Sequence, residues 1–510
     1  MKGSADIVLL LEGTYPFVRG GVSSWVHQII EGLPDLSFHL VFLGGTPGMY
    51  GDIRYQLPAN VTALDVHYVM NPADYPTPGS DSASPESLEK LERYYPYFHD
   101  STEPMPPAIF DEMIRLFSNP EGISLRNFLY SEQAWEQLAD FYRHHCRHVS
   151  FVDFFWTLRN LFAPLFTLSK LAREIPGGKL YHAISTGYAG FLGAAVAMLE
   201  QKPLLLTEHG IYTKERKIDI TQVEWIKEPQ RMLDEGLSRD MNYLRQMWIS
   251  FFEQIGRCTY NMSEVIISLY DGNRLRQIED GAMASRCRVI PNGTRIGRFS
   301  AALQARGEEI PMVAALVGRV VPIKDIKTFI RTIKQGLLRN PALEGWVVGP
   351  FEEDPEYMEE CRLLVSSLGL DGKVKFLGMQ DLTKVFPDIG IIVLTSISEA
   401  QPLVLLEGMA AGIPCVATRV GACEELILGA EGEDRALGPA GYVVPIASPQ
   451  QTADAINQIL LDAGRWHQFQ ASGLQRASRF YDEPILFQRY QALYDEVISW
   501  PASDLKSVNY

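Results

Sequence analysis

The chain has 510 residues, 46% hydrophobic and 21% charged, with a formal net charge of −16. That length exceeds one ordinary core and points to two large domains, and the composition is that of a globular chain. The acidic balance excludes a general phosphate-backbone binder, which needs a basic surface, while leaving local binding of a nucleotide open.

The run Ile7 to Leu11, preceded by Asp6 and ended by Glu12, reads as a parallel strand buried on both faces and not as a signal segment. Gly20-Gly21 follow in a loop, and Ser23 or Ser24 can cap a helix carrying Trp25, Val26, Ile29 and Ile30. A second strand is predicted over Phe38 to Leu43. From about Met70 to Pro107 the composition shifts to Pro, Ser, Tyr and acids, and Asn71 to Ser80 holds too many prolines for a helix interior. Aromatic-rich helices are predicted from Ile109 to Phe117 and from Glu132 to about Leu171. Residues 70–175 therefore read as a helical insertion, with most of its aromatics buried in the first lobe and the rest a surface for docking or for an acceptor.

Strands return at Leu180 to Ile184, Leu204 to Thr207 and Val265 to Leu269. A second series begins at Pro311 to Gly318 and continues with Trp346 to Val348, Val374 to Leu377, Ile391 to Leu394, Cys415 to Ala417 and Tyr442 to Val444. Such alternation of strands and helices implies parallel, doubly wound sheets. The fold class expected is α/β: two Rossmann-like domains, 1–300 with the insertion and 301–482, joined near Ser285 to Gln304. The last segment, 483–510, is expected to return to the first domain as a helix. No apolar stretch is long enough to span a membrane, the longest lying around Ala189 to Leu199, so a soluble chain is expected. The six cysteines, Cys146, Cys258, Cys287, Cys361, Cys415 and Cys423, form no CxxC pair, which leaves zinc and thioredoxin-like readings without support and fits a reducing cytosol.

The densest chemical signal is Glu399 to Pro414, after the strand Ile391 to Leu394 and a turn. Pro402 suits a first helical turn, so backbone N–H groups there, around Ala400 and Leu403, face the strand's C-terminal edge, where open α/β sheets bind ligands. In a mostly helical segment Glu399 and Glu407 lie roughly 12 Å apart, a spacing suited to one carboxylate on a sugar and the other on a ribose. The plain alternative is one solvated and one capping glutamate. Arg319 and Lys324 follow the strand ending at Gly318, and two cations at such an edge suit a leaving diphosphate, although both could be ordinary solvated residues. Gly20 and Gly21 allow close approach of the backbone to a phosphate or sugar, or simply make a turn. His182 and His209 sit at strand ends, able to project into a cleft or to serve as structural hydrogen-bonding residues. No GxGxxG and no GxxxxGK[ST] loop is present, so nicotinamide and P-loop fingerprints are absent.

Together Gly20-Gly21, Ile290-Pro291-Asn292-Gly293, Gly318-Arg319 with Lys324, and Glu399 to Glu407 resemble glycosyltransferase family four, whose two-lobed fold is called GT-B. Glu12 to Trp25 and Thr207 to Arg216 are more closely similar to the cytosolic glycosyltransferases of Pel exopolysaccharide systems. The resemblance implies an active site in the cleft between the lobes, a UDP-sugar donor, retention at the anomeric carbon and no metal or other cofactor. By position it implies Arg319 and Lys324 on the diphosphate, Glu407 on the ribose, Glu399 on the donor sugar, and Gly21 near phosphate or acceptor. It also implies a polysaccharide acceptor and a cytoplasmic chain docked to inner-membrane proteins of a Pel-type complex. Many relatives carry His-x-His where this chain has His182-Ala183-Ile184, so either His182 or His209 could take the usual histidine's role. Two rivals remain: a sugar-nucleotide epimerase of the same fold, and a catalytically idle nucleotide-binding scaffold subunit.

Overall fold

The computed structural model describes residues 5–79, 83–146, 149–222 and 235–500, so Met1–Ser4, Ser80 and the last ten residues of the expected 483–510 segment lie outside the described residues. The chain forms two compact units: one holds residues up to Ser268, Arg274–Arg288 and the chain from Tyr490, the other Leu269–Asn273 and Val289–Arg489.

The first unit is built on seven strands: β1 (Ala5–Glu12), β2 (Phe38–Gly44), β3 (Val61–Tyr68), β4 (Gly178–Ala183), β5 (Leu204–Glu208), β6 (Val265–Ser268) and β7 (Cys287–Val289). Their order is β3-β2-β1-β4-β5-β6-β7, and the strands from β3 through β6 pair parallel. The order reverses between β1 and β4, which makes that edge the switch point of the sheet. Two strands escape the apolar-run rule. β3 is an edge strand with no fully buried residue, and its Asp65 is paired to the buried His39 of β2 at 3.0 Å. β7 is three residues long and lies inside the segment expected as a linker.

Between β3 and β4 the insertion forms helices Pro85–His99, Pro107–Ser118, Leu125–Tyr130, Glu132–His145 and Phe151–Leu171. The helical pattern expected from Glu132 to about Leu171 takes the form of two helices, with residues 147 and 148 between them outside the described residues. Tyr94, Tyr95, Phe98, Phe110, Phe117 and Phe162 share one apolar core with Val8, Leu10 and Val41 of the sheet. The insertion is therefore core-forming, with Trp135 and Trp156 left about half exposed.

The second unit carries β8 (Val313–Val317), β9 (Glu344–Val348), β10 (Val374–Gly378), β11 (Ile391–Leu394), β12 (Cys415–Thr418) and β13 (Gly441–Val444). All pairs are parallel in the order β10-β9-β8-β11-β12-β13, with the reversal between β8 and β11. Strand alternation sorts the core into two layers: Ala314, Leu316, Ile391 and Val393 face one, Ala315, Ile392, Leu394 and Cys415 the other. Both sheets are thus of the doubly wound kind expected. The helix Glu483–Ser499 starts in the second unit and continues in the first from Tyr490. All six cysteines are free and buried. Among the described residues no helix is long and apolar enough to cross a membrane.

Candidate functional site

In the second unit the loops after β8 and β11 meet at the switch point. β8 ends at Val317, and the chain passes Gly318 and turns through the short 3-10 segment Pro322–Lys324. The loop after β11 is tied to it: Ile397 N donates to Ile323 O at 2.9 Å, and Thr395 Oγ1 donates to Lys324 O and Asp325 O at 3.0 Å each. These bonds bring Lys324 Nζ to 2.5 Å from Glu399 Oε1, with both side chains mostly buried. The same carboxylate oxygen accepts from Ser396 Oγ at 2.6 Å. The β12 loop supports the far side. Gly421, in the left-handed region at φ 52°, lies so close to the loop that a Cβ there would meet Glu399 O at 2.2 Å and Ala400 O at 2.3 Å, and Ala422 N donates to Ala400 O at 2.7 Å. Glycine is required at that contact on both counts.

The helix after Glu399 runs Leu403–Ala410, with Pro402 at its N-cap and not, as expected, inside its first turn. Gly408 lets it settle on β11, since a Cβ there would stand 2.8 Å from Ile392 Cγ1. Leu403 and Val404 begin the helix, where backbone N–H groups have no intrahelical acceptor. Glu407 sits one turn further. Its carboxylate makes none of the described hydrogen bonds, and burial raises its pKa against the opposing pull of Arg298.

Arg319 is separated from this group. Its Nη1 donates to both oxygens of Glu353 at 2.6 and 2.7 Å, and the pair is about half exposed. The two expected cations therefore have different partners: Lys324 holds Glu399, and Arg319 holds a carboxylate in the loop after β9. Such an exposed pair is worth little and is readily exchanged for another anion.

In the first unit Gly20 is the N-cap of the helix Gly21–Gly32, without a side-chain cap; Ser23 and Ser24 lie inside the helix and do not cap it. A Cβ at Gly20 or Gly21 would meet nothing within 4 Å. Packing therefore does not demand glycine at either position, and Gly20 serves as a helix cap.

The two histidines differ sharply. His182 lies within β4 and does not project from a strand end. It is fully buried, with ring nitrogens at 2.8 Å from Tyr494 Oη and 2.9 Å from Thr207 Oγ1. Burial first, then His209, lowers its pKa to about 3. His209, just past β5, has neither ring nitrogen partnered among the described residues and packs edge-on to Trp25 at 4.6 Å between centroids. Burial lowers its pKa to about 4, so both imidazoles are neutral at pH 7.

Three carboxylate features have weak signals in the sequence. Ser396 stands three residues before Glu399, a Ser-x-x-Glu spacing normally read as a helix cap. Glu208 is buried at the end of β5 and accepts from Tyr260 Oη at 2.7 Å, Thr186 Oγ1 at 3.0 Å, Gln277 Nε2 at 3.0 Å and Tyr212 N at 3.4 Å. Glu12, at the end of β1, accepts from Tyr212 Oη at 2.9 Å and from Ala189 N at 3.1 Å. Tyr212 thus bridges the ends of β1 and β5, a contact no local pattern announces.

Comparison with known proteins gives two family matches: residues 5–285 match a domain of unknown function (DUF3492), and residues 311–462 match glycosyl transferases group 1. An exopolysaccharide phosphotransferase of Streptomyces coelicolor is 29% identical over 221 residues, 43% of this chain and 22% of that protein. The lipopolysaccharide core biosynthesis glycosyltransferase LpsE of Rhizobium meliloti is 31% identical over 192 residues, 36% of this chain and 51% of LpsE. The chain thus spans about half or less of these curated relatives. Among solved structures, Anabaena HepE in complex with UDP is similar with a TM-score of 0.56 at 16% identity, covering 96% of this chain and 100% of HepE. That likeness and the two doubly wound sheets place the fold in the GT-B class. Since the first match takes in more than half of the chain, the protein belongs to the DUF3492 family, with a region matching glycosyl transferases group 1 in its second half.

Proposed function

We propose that the chain is a retaining glycosyltransferase that moves a hexose from a UDP-sugar, UDP-glucose or a related UDP-hexose, to a growing exopolysaccharide. The observation carrying this reading is the Lys324–Glu399 pair at the β8/β11 switch point, with Glu407 on the helix that follows. It supplies a cation for a leaving diphosphate and carboxylates for sugar and ribose hydroxyls on one sheet edge. Solved structures of HepE hold UDP and UDP-glucose, and LpsE acts in lipopolysaccharide core biosynthesis. The closer resemblance to PelF suggests a Pel-type complex at the inner membrane as the setting, with the chain itself cytoplasmic.

In this reading Lys324 and Arg319 hold the diphosphate, Glu399 the donor sugar and Glu407 the ribose. Ala400, Leu403, Gly20 and Gly21 offer backbone to the ligand. The bond from the anomeric carbon to the phosphate oxygen breaks as the acceptor oxygen bonds to the same face. The acceptor's proton passes to the departing phosphate oxygen, whose growing charge Lys324 stabilises. His209, neutral and with its buried ring nitrogens unpartnered among the described residues, has hydrogen-bonding capacity that His182 already spends on Tyr494 and Thr207. No metal enters the step.

Calorimetric titration with UDP, GDP and ADP, using the protein and its Arg319→Ala and Glu407→Ala variants, tests the reading. Selective UDP binding weakened in both variants supports it. Absence of binding by any nucleotide overturns it for the isolated chain and favours a scaffold subunit without a donor site.

A further inference from the structure

Glu399 Oε1 receives two donors, Lys324 Nζ at 2.5 Å and Ser396 Oγ at 2.6 Å. None of the described hydrogen bonds uses Oε2. Ser396 is almost fully buried and is anchored in turn, its carbonyl accepting from Thr418 Oγ1 at the end of β12 at 2.7 Å. The serine belongs to the rigid edge of the sheet, whereas the lysine reaches the carboxylate along a flexible four-carbon stem. A diphosphate can draw the ammonium away along its stem, whereas the Ser396 hydroxyl, almost fully buried on an anchored loop, is held on the carboxylate.

We infer that Ser396, held by Thr418, is a positioning residue that keeps Glu399 aimed at the donor sugar once Lys324 has been drawn to the diphosphate. This rests on the donor-site reading above. Without the hydroxyl, Glu399 loses its only other described donor when Lys324 leaves, and the carboxylate is free to rotate away from the sugar. The sheet-anchored hydroxyl therefore sets how well the hexose is distinguished from an empty position, and has no part in holding the nucleotide.

The experiment is calorimetric titration of UDP and UDP-glucose into the protein, Ser396→Ala, Ser396→Thr and Glu399→Gln, with thermal unfolding of each. Loss of a hydrogen bond to a charged group predicts that Ser396→Ala binds UDP as the parent does but binds UDP-glucose about tenfold more weakly. Ser396→Thr, which retains the hydroxyl, is expected to restore the parent's ratio, and Glu399→Gln to lose it. Equal weakening of both ligands in Ser396→Ala, or no change in either, overturns the role of Ser396 while leaving the donor site standing. A parent protein that binds neither ligand overturns the donor-site reading and this inference with it.

Discussion

Lys324 Nζ lies 2.5 Å from Glu399 Oε1, although the two residues are 75 positions apart in the chain. The contact exists because β8 and β11 are neighbours at the reversal of strand order, so the loops leaving them share one edge. The two side chains pair with each other, both mostly buried. A bound diphosphate would take the cation and leave the carboxylate to the sugar. Lys324→Ala is accordingly expected to lower kcat by about 100-fold or more, with a much smaller change in KM. Steady-state kinetics with a UDP-hexose decides this: a rise in KM with kcat unchanged would show that Lys324 binds ground state and transition state alike.

Arg319 and Glu353 form an exposed pair, so neither Arg319→Ala nor Glu353→Ala should change stability by more than about 1 kcal/mol in chemical denaturation. Their effects on UDP should differ. Arg319→Ala is expected to weaken binding, while Glu353→Ala, which frees the guanidinium, should leave it unchanged or tighter. Identical behaviour of the two variants would assign Arg319 a surface role only.

His182 links acidity to stability. Its pKa is lowered to about 3 in the folded chain, chiefly by burial, against an ordinary value of 6.5. Below pH 6.5 the unfolded chain therefore binds a proton that the folded chain refuses. Stability from this group is complete above about pH 6.5 and is lost as pH falls toward 3, at up to about 1.4 kcal/mol per pH unit. His182→Gln should flatten the fall of Tm with decreasing pH in that window. An unchanged slope would mean that another group governs acid unfolding.

Glu208 accepts four hydrogen bonds and gives none, in a fully buried position where burial raises its pKa. Glu208→Gln places an amide N–H₂ against groups that already donate, among them Tyr260 and Gln277. A loss of about 3 kcal/mol is expected in urea unfolding. A loss below about 1 kcal/mol would indicate that the buried network rearranges around the amide.

Much of the architecture was legible in local patterns. Ile391–Leu394 is a strand to the residue, because a parallel strand buried on both faces is an unbroken apolar run bounded by turn residues. The strand–loop–helix units around Gly20-Gly21 and around Glu399 to Glu407 were legible for the same reason, and so were the residues at the sheet edges. β3 was not, since an edge strand carries Thr62, Asp65 and His67 among its apolar residues. What only the tertiary structure decided is which edge residues meet. Lys324 goes to Glu399 while Arg319 goes to Glu353, 34 residues away, and His182 is enclosed by Thr207 and Tyr494 while the buried nitrogens of His209 have no partner among the described residues. Local sequence determines strands and turns through hydrophobic period and backbone preference. The partners of a charged or imidazole side chain depend on strand order, which brings together loops that are remote along the chain.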